Sequence, residues 1–593
     1  MHKIEDFPNL VAMFFTRATE QGDRPFLWSK EDGQWRSISW TDAARQVASL
    51  ATAFGALGLK RGDRVMLVSE NRPEWCLSDL AIMAAGCVTV PAYITNTERD
   101  HQHILENSGA CAVIVSTAKL AKTLMPAVLK SNQGQLVIGM EEMRFPATVE
   151  HHDLRDLIAR HPAEPAAIAA DFGRGDLACI IYTSGTGGAP RGVMQHHGAI
   201  LHNVAGCTAV IAEDFGIAQP ETFLSFLPLS HAYEHTGGQF FPIGVAGQIY
   251  YAEGLEKLAS NMEEVRPTLM FVVPRLFEVL HQRITKAIAK QGGLSQRLLA
   301  SALTIGERDY RGTLRWTDRP LKLIVDRLFK PKIGKKFGGR MKAMVSGGAP
   351  LTPEVGIFFH SIGVTVLQGY GQTEAGPVIS CNRPSTGVSM DTVGPPLKDT
   401  EVRIAGDGEI LLRGELVMHG YWRNDAESAR VLKDGWLHTG DIGIIDTRGR
   451  VKITDRKKDL IINDKGDNVA PQKVEGMLTL QPEIAQAMIA GDRRPYMVAL
   501  LVPDAEWVQQ WCARSGKSCD FAALAENAEF RTALGAAVER VNKDLSVTER
   551  VRRFIIADAP FAIENEQMTP SLKIRRHVIR GVYGDRLDAL YKQ

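Results

Sequence analysis

The sequence lacks the features that mark several classes of protein. Its eight cysteines form no C-x-x-C pair, and several of them stand in apolar runs. This spacing is not that of a zinc site or a disulfide framework, so we expect small core residues in a reducing compartment. The net charge of +1 at pH 7 gives no basic excess for binding phosphate backbones, and we therefore expect no nucleic-acid partner.

Long hydrophobic runs are missing as well. The first residues, MHKIED, do not contain the apolar core of a signal peptide, and no apolar stretch reaches the length that crosses a bilayer. We therefore expect a cytoplasmic protein, and peripheral attachment to the inner face of a membrane is left open. The sequence also shows no internal repeat of roughly 20–50 residues, which argues against a solenoid.

What is present is enough apolar sequence for more than one core. A chain of 593 residues, 45% hydrophobic and 23% charged, has the composition of a globular enzyme with two or more domains. In its first third, apolar strands alternate with helical patterns. We predict helices at 40–57 and 73–85, and strands at 64–68, 87–91, 110–115 and 134–138. This alternation indicates an α/β fold with mostly parallel sheets covered by helices on both faces.

The pattern changes after Gly394. Short apolar stretches at 402–404, 409–412 and 451–453 are separated by Gly, Asp and Pro, which is typical of a small antiparallel barrel or meander. A polar run at 454–459 then predicts a domain boundary that divides the chain into 1–457 and 458–593. We expect the second part to be a smaller α+β domain that acts as a mobile lid.

One segment has an uneven charge. Residues 282–342 contain 16 basic and four acidic side chains, with Leu, Ile, Phe and Trp at helical spacing. The pattern predicts amphipathic helices, which suit either an anionic lipid surface or a solvated helical face. The sequence leaves the oligomeric state open between a monomer and a homodimer.

A glycine-rich stretch at 181–193, IYTSGTGGAPRGV, predicts a strand, a loop and a second strand. Glycines let the backbone approach a ligand and the hydroxyls add hydrogen-bond donors, so the loop suits a polyphosphate. The G-x-x-x-x-G-K-(S/T) spacing of P-loop proteins is absent. For a glycine cluster taken alone, a flexible linker is the alternative.

Further motifs follow in order: SGGAPL at 346–351, LQGYGQTE at 367–374, GWLHTGD at 435–441, DRKKD at 455–459 and TPSLKIRR at 569–576. Over nearly the whole chain, their order and separations resemble the AMP-forming acyl-CoA synthetases, the adenylate-forming superfamily. Additional stretches resemble its long-chain fatty acid–CoA ligase branch: ENRPEW at 70–75, LPLSHAYE at 227–234 and VPRLFE at 273–278.

The resemblance implies a reaction in two steps. The carboxylate of a fatty acid attacks the α-phosphate of ATP to give acyl-AMP and pyrophosphate, and CoA then displaces AMP. ATP, Mg²⁺ and CoA are the implied cofactors and co-substrates. No protein nucleophile is needed, so the enzyme has to position the reactants and stabilise developing charge.

The resemblance also implies a nucleotide site. The loop that would hold the β- and γ-phosphates contributes Thr183, Ser184, Gly185, Thr186, Gly188 and Arg191. The pocket that would hold adenine between small residues and a stacking surface contributes Gly347, Gly348, Ala349, Gly369, Tyr370 and Gly371. Asp441 would accept the ribose hydroxyls, and Arg456 would contact the ribose–phosphate region. Core packing for Tyr370, and surface ion pairs for Asp441 and Arg456, are the alternatives.

The residues implied in catalysis are Lys573, Thr373, Glu374 and His231. Lys573 would bridge the attacking carboxylate and the α-phosphate, to which Thr373 would also bond. Glu374, together with Thr186, would hold Mg²⁺ unless it is simply a solvated side chain. His231 would lie beside the acyl carboxylate, and a core histidine is its alternative.

The C-terminal part is implied to rotate between the two steps. Lys458 stands at the hinge position of the family, and the loop around Gly466 would face the thiol of CoA. The neighbours of Lys573, Arg575 and Arg576, are predicted to form a solvated cluster.

Several positions depart from the family pattern. Gly187 replaces a threonine, Arg191 replaces a lysine, and Lys465 replaces a glycine. The first two change the donors offered to ATP, and the third adds bulk near the thiol. Because the implied catalytic lysine and carboxylates are kept, we expect an active fatty acid–CoA ligase. The alternatives are a fatty acyl-AMP or acyl-carrier-protein ligase, and a non-catalytic homologue that binds adenylate or lipid.

Overall fold

The computed structural model describes residues 2–183, 189–218, 220–290, 292–457, 461–465, 467–562, 564–569 and 574–592. Several predicted site residues, and the departure Gly187, lie outside these ranges. The site residues outside the described part are Ser184, Gly185, Thr186, Gly188, Lys458, Gly466 and Lys573.

The strands are numbered in chain order. They are β1 (Pro25–Glu31), β2 (Gln34–Ser39), β3 (Arg64–Val68), β4 (Val88–Ala92), β5 (Ala112–Val115), β6 (Leu136–Gly139), β7 (Glu150–Asp153), β8 (Leu177–Thr183), β9 (Arg191–His196), β10 (Thr222–Ser225), β11 (Gln248–Tyr251), β12 (Leu269–Val272), β13 (Ala343–Ser346), β14 (Val366–Gly371), β15 (Val378–Cys381), β16 (Glu401–Ile404), β17 (Glu409–Arg413), β18 (Leu432–Lys433), β19 (Trp436–Ile445), β20 (Val451–Arg456), β21 (Ile461–Ile462), β22 (Asn468–Val469), β23 (Ile484–Ala490), β24 (Met497–Pro503) and β25 (Val551–Ile556).

The α-helices are numbered in the same way. They are α1 (Leu10–Gln21), α2 (Trp40–Ala56), α3 (Pro73–Ala84), α4 (Glu98–Ser108), α5 (Ala118–Ser131), α6 (Leu154–Arg160), α7 (His197–Phe215), α8 (Ala232–Glu234), α9 (Phe241–Gly244), α10 (Leu258–Val265), α11 (Pro274–Lys290), α12 (Gly293–Tyr310), α13 (Arg319–Ile324), α14 (Lys330–Lys336), α15 (Pro353–Ser361), α16 (Asp425–Val431), α17 (Pro471–Thr479), α18 (Ala505–Ser515), α19 (Phe521–Glu526), α20 (Ala528–Asn542) and α21 (Arg576–Ala589).

The predicted elements are confirmed with small shifts at their ends. The helices predicted at 40–57 and 73–85 are α2 and α3, and the four predicted strands are β3, β4, β5 and β6. Local sequence explains where the two helices begin. The Ser39 hydroxyl caps α2 by accepting a hydrogen bond from the Asp42 N–H at 3.1 Å. Pro73 opens α3, where its missing N–H is not needed.

Two large sheets form the body of the N-terminal part. Their strand orders are β7-β6-β5-β3-β4-β8-β9 and β15-β14-β13-β12-β10-β11-β1-β2. Neighbouring strands are parallel except that β2, β9 and β15 run antiparallel to their partners at the edges. One hydrophobic core contains strand residues of both sheets, among them Leu67, Ile181, Phe223 and Phe271. The mostly parallel sheets with helices are therefore confirmed.

The later strands form smaller antiparallel and mixed sheets. β16, β17, β19, β18 and β20 make the predicted antiparallel unit. In the C-terminal part, β23, β24 and β25 form a sheet that shares a core with α17 and α20, including Ile489, Leu501 and Phe530. The fold is thus α/β in its larger N-terminal part, with a smaller C-terminal α+β part.

The basic segment 282–342 is largely helical, as predicted. No helix within the described ranges is both long and apolar enough to span a bilayer.

Candidate active site

The carboxyl ends of two neighbouring parallel strands carry the predicted adenine and metal motifs. β13 ends at Ser346 and β14 ends at Gly371, so the loops that follow leave the same edge of the sheet. Open α/β sheets bind ligands outside the carboxyl ends of their strands. Here a cavity of about 1770 Å³ opens at this edge, and both loops line it.

The predicted adenine residues all line this cavity: Gly347, Gly348, Ala349, Gly369, Tyr370 and Gly371. Two of the glycines leave no room for a side chain. A Cβ at Gly347 would lie 2.8 Å from the ring of Tyr233, and one at Gly371 would lie 1.8 Å from the carbonyl oxygen of Pro377. Gly348 has a φ of +81°, which favours glycine. At these glycines the wall of the cavity is therefore formed by backbone, which leaves room for a ligand to lie close to the main chain.

Asp441, the predicted ribose residue, has hydrogen bonds to both carboxylate oxygens. The Tyr370 hydroxyl donates to Oδ2 at 2.6 Å, and Arg456 Nε donates to Oδ1 at 2.9 Å. Asp441 and Arg456 face each other across β19 and β20. The Asp441 side chain is only 6% exposed, whereas that of Arg456 is 44% exposed, so the pair joins a buried carboxylate to a partly exposed guanidinium. Burial, and then the charge of Asp441, raise the pKa of Tyr370 well above its usual range, which keeps its hydroxyl a donor.

Thr373 and Glu374 are held by neighbours that the sequence motifs do not include. The side chain of buried Gln195 donates to the Thr373 carbonyl oxygen at 2.7 Å. The Met418 N–H donates to the Glu374 carbonyl oxygen at 3.0 Å, and the Tyr421 hydroxyl donates to Glu374 Oε1 at 2.8 Å. Glu374 is therefore an anchored side chain at the edge of the cavity, not a freely solvated one.

The ends of the glycine-rich loop also reach the cavity. β8 and β9 pair antiparallel, which confirms the two predicted strands, and Thr183 stands opposite Arg191. Both residues line the cavity. The Arg191 guanidinium forms an ion pair with Glu427 and lies 4.6 Å from the ring centre of Tyr421. A planar guanidinium stacks on an aromatic ring in a way that a lysine ammonium does not.

His231 also lines the cavity. It is half-buried, and its ring Nδ1 accepts a hydrogen bond from the Tyr233 N–H at 3.2 Å. Apolar side chains from several elements line the cavity as well: Val210, Ile211, Phe241, Leu269 and Phe271. The cavity thus combines polar loops with an apolar wall, and His231 is a cavity residue, not a fully buried core histidine.

The C-terminal part contributes another side of the cavity. Thr569 and Ile574, which stand on either side of 570–573, both line it. The predicted solvated cluster is wrong for Arg576, which donates to both oxygens of the nearly buried Glu475. Arg576 opens α21, so this ion pair fixes the helix start against α17. The two adjacent arginines, Arg575 and Arg576, could not predict this ion pair, because Glu475 lies about 100 residues earlier in the sequence.

The described residues could bind a magnesium ion only together with the phosphates of a bound substrate. Among them, no group of three His, Cys, Asp or Glu side chains is arranged to hold a metal. Glu374 offers a hard carboxylate at the cavity wall. Mg²⁺ is usually bound by one or two carboxylates, substrate phosphates and water, so one carboxylate suits it here.

The sequence matches the family model of the AMP-binding enzymes over residues 14–422, and that of the AMP-binding enzyme C-terminal domain over 458–593. It is 31% identical over 604 residues to the long-chain-fatty-acid–CoA ligase FadD15 of Mycobacterium tuberculosis, with 100% of this chain and 98% of the relative covered. It is 28% identical over 627 residues to long-chain-fatty-acid–CoA ligase 1 of Homo sapiens, with 99% and 87% covered.

Solved structures of lower sequence identity share the fold. The adenylation domain of a carboxylic acid reductase from Segniliparus rugosus, in complex with AMP and a co-purified carboxylic acid, matches with a TM-score of 0.77. It is 22% identical, with 99% of this chain and 94% of that chain covered. The chain belongs to the AMP-binding, or adenylate-forming, enzyme superfamily, in its long-chain fatty acid–CoA ligase branch.

Proposed function

We propose that the protein is an AMP-forming long-chain fatty acid–CoA ligase. The observation that carries this proposal is the cavity of about 1770 Å³, which polar loops and apolar side chains line together. Ligand pockets usually measure roughly 300–1,000 Å³, so this volume suits a nucleotide and an acyl chain at once. Relatives that match the whole chain and are named long-chain-fatty-acid–CoA ligases support the choice of substrate.

In the first step, an oxygen of the fatty acid carboxylate attacks the α-phosphorus of ATP. An O–P bond forms, the bond from the α-phosphorus to the bridging oxygen breaks, and pyrophosphate leaves with the electron pair. We assign Thr373 and Lys573 to the charge on the α-phosphate, and His231 to the carboxylate. The loop that ends at Arg191 holds the leaving pyrophosphate.

The nucleotide is positioned by the remaining predicted residues. We assign adenine to the loops 347–349 and 369–371, the ribose to Asp441, and the ribose–phosphate region to Arg456. Hydrogen bonds from Tyr370 and Arg456 fix the Asp441 carboxylate, and each oxygen keeps a further lone pair for a ribose hydroxyl. When bound, Mg²⁺ neutralises phosphate charge, and Glu374 with Thr186 would hold it.

In the second step, the CoA sulfur attacks the acyl carbon and a C–S bond forms. The C–O bond to AMP breaks, AMP leaves with the electron pair, and the thiol proton is released to solvent. We assign this step to a rotation of domain 458–593 against domain 1–457, with the hinge at Lys458 and the loop around Gly466 facing the thiol. The rotation would withdraw Lys573 after the adenylate has formed. The family-model match that begins at residue 458 supports this boundary.

The two half-reactions can be measured separately. We expect ATP–pyrophosphate exchange that depends on a long-chain acid such as oleate, and AMP release that requires added CoA. A series of acids from acetate to oleate gives the chain-length preference. Exchange without CoA-dependent AMP release, but with release to an acyl carrier protein, would assign the carrier-protein ligase instead. No exchange with any acid would support the non-catalytic alternative.

We further propose that the basic segment 282–342 contacts an anionic membrane surface. Its acidic residues all pair within the segment: Glu307 with Arg311, Asp309 with Lys322, Asp318 with Arg308 and Asp326 with Lys330. Three of its basic side chains, Lys286, Lys336 and Lys342, pair with acidic residues outside the segment, and an excess of basic side chains still remains. The same segment has exposed apolar side chains: Trp316 is 81% exposed, Leu328 59% and Leu323 52%. Exposed apolar side chains beside excess cations suit the boundary between lipid headgroups and acyl chains better than a solvated face.

Vesicle sedimentation tests this surface. We expect the protein to bind vesicles that contain phosphatidylglycerol and to leave pure phosphatidylcholine vesicles unbound. Changing Trp316, Leu323 and Leu328 together to serine should weaken binding without changing the fatty acid-dependent exchange measured in detergent. Equal binding of the variant and the unchanged protein would contradict the assignment.

The oligomeric state needs a separate measurement. Light scattering of the protein without vesicles distinguishes a monomer from a homodimer.

A further inference from the structure

The carboxylate of Glu374 is held by a residue far along the chain. The Tyr421 hydroxyl donates to Glu374 Oε1 at 2.8 Å, across 47 residues of sequence. The Met418 N–H holds the backbone of Glu374 through its carbonyl oxygen. Residues 418–421 therefore fix both the main chain and the side chain of the residue that we assign to magnesium.

Tyr421 is itself fixed on several sides. Its side chain is nearly buried, and its N–H donates to the Ser428 hydroxyl at 2.8 Å. The next N–H, of Trp422, donates to the Gly192 carbonyl oxygen at 2.7 Å, which ties this segment to β9. The ring therefore has little freedom to move, and its hydroxyl is held in a fixed position beside the Glu374 carboxylate.

A cation lies over the ring of Tyr421. The Arg191 guanidinium carbon is 4.6 Å from the ring centre, and the attraction between the cation and the ring face further holds the ring in place. Glu427 pairs with Arg191 and also accepts hydrogen bonds from Arg430 at 2.6 and 2.7 Å.

We infer that Tyr421 is a positioning residue that aims the Glu374 carboxylate at the metal of bound MgATP. The inference rests on the proposed role of Glu374. A hydrogen bond to Oε1 leaves Oε2, and a further lone pair on Oε1, for the ion. Because the side chain is already ordered, metal binding does not have to order it. Arg191 connects this arrangement to the phosphate loop.

The test is the binding of a non-hydrolysable ATP analogue, by calorimetry, with magnesium and with EDTA. We expect Tyr421→Phe to weaken binding of the magnesium complex by roughly tenfold, as for a lost hydrogen bond to a charged group. Binding of the metal-free analogue should not change. Tyr583→Phe is the matched control, because it removes a buried hydroxyl that accepts from the Asp558 N–H, outside the cavity.

A double-mutant cycle separates positioning from a structural role. In a Glu374→Gln background, Tyr421→Phe should cause no further loss of magnesium-dependent affinity. Equal weakening with and without metal, additive losses in the cycle, or unchanged binding by Tyr421→Phe would each overturn the inference. The assay needs neither fatty acid nor CoA. Metal-dependent binding that follows this pattern in a protein without ligase activity would therefore reject the proposed function and keep the inference.

Discussion

The ion pair between Arg576 and Glu475 gives a prediction whose size follows from the structure. Arg576 donates to both carboxylate oxygens, and the Glu475 side chain is 10% exposed. The same carboxylate accepts the Ile489 N–H at 2.7 Å. Removing one partner of a buried ion pair costs about 3–5 kcal/mol, because the other charge stays behind. Since the Arg576 side chain is 23% exposed, we expect Arg576→Met to cost about 3 kcal/mol, at the lower end of that range.

Hydrogen exchange measures this cost where it occurs. Glu475 lies in α17 and Ile489 in β23, so we expect amide protection there to fall on the order of 100-fold, which corresponds to about 3 kcal/mol. The matched control is Arg586→Met on the same helix, α21. Its ion pair with Asp558 is exposed on both sides, and such a pair contributes about 1 kcal/mol or less.

The double variant Glu475→Met with Arg576→Met checks the reasoning. The double variant removes both charges of the pair, so protection should return in part. The hydrogen bonds of Glu475 to the Ile489 N–H and of Arg576 to the Ile489 carbonyl oxygen stay lost. Unchanged protection in Arg576→Met would refute the assigned cost. Because Lys573 lies just before Arg576 in sequence, we also expect adenylate formation to fall more than thioester formation from supplied acyl-AMP.

Three further predictions concern the two half-reactions and pH. Lys573→Ala should abolish ATP–pyrophosphate exchange and spare thioester formation from supplied acyl-AMP; equal loss of both would reject its role. Lys458→Pro should reduce thioester formation more than exchange, and equal loss would reject the hinge. Burial lowers the pKa of His101 to about 4 and of His197 to about 3, from 6.5. As the pH falls below about 6.5, these histidines take up protons in the unfolded chain but not in the folded protein. Each of them therefore lowers the free energy of unfolding by about 1.4 kcal/mol per pH unit, until the pH reaches its pKa in the folded protein. Denaturant unfolding at pH 7 and pH 5 checks this, and His197→Asn should flatten the dependence; an unchanged slope would contradict it.

The sheets could be predicted because their strands are buried on both faces. Arg64–Val68 and its neighbours read as continuous apolar runs between helical patterns, and a parallel sheet covered by helices is the arrangement that hides them. The order of the strands within each sheet could not be predicted from the sequence pattern. β3 lies between β4 and β5, and β10 lies between β11 and β12, and these placements depend on packing between distant parts of the chain.

For the site, the motifs identified residues that line the cavity but not the residues that hold them in place. Glycine positions such as Gly347 and Gly371 were predictable because a close approach of backbone restricts the residue type, and the structure leaves no room for a Cβ there. Tyr421 carries no such restriction in sequence, since two adjacent aromatic residues in the stretch HGYWR at 419–423 are compatible with ordinary core packing. The role that we propose for Tyr421 depends on its hydroxyl, which donates to Glu374 at a separation of 47 residues. A contact between residues so far apart in the sequence cannot be predicted from local pattern. Arg191 could be singled out in the sequence as a departure from the family lysine, from which we predicted altered phosphate binding. The position of its guanidinium over the Tyr421 ring could not be predicted, because it depends on packing between distant parts of the chain.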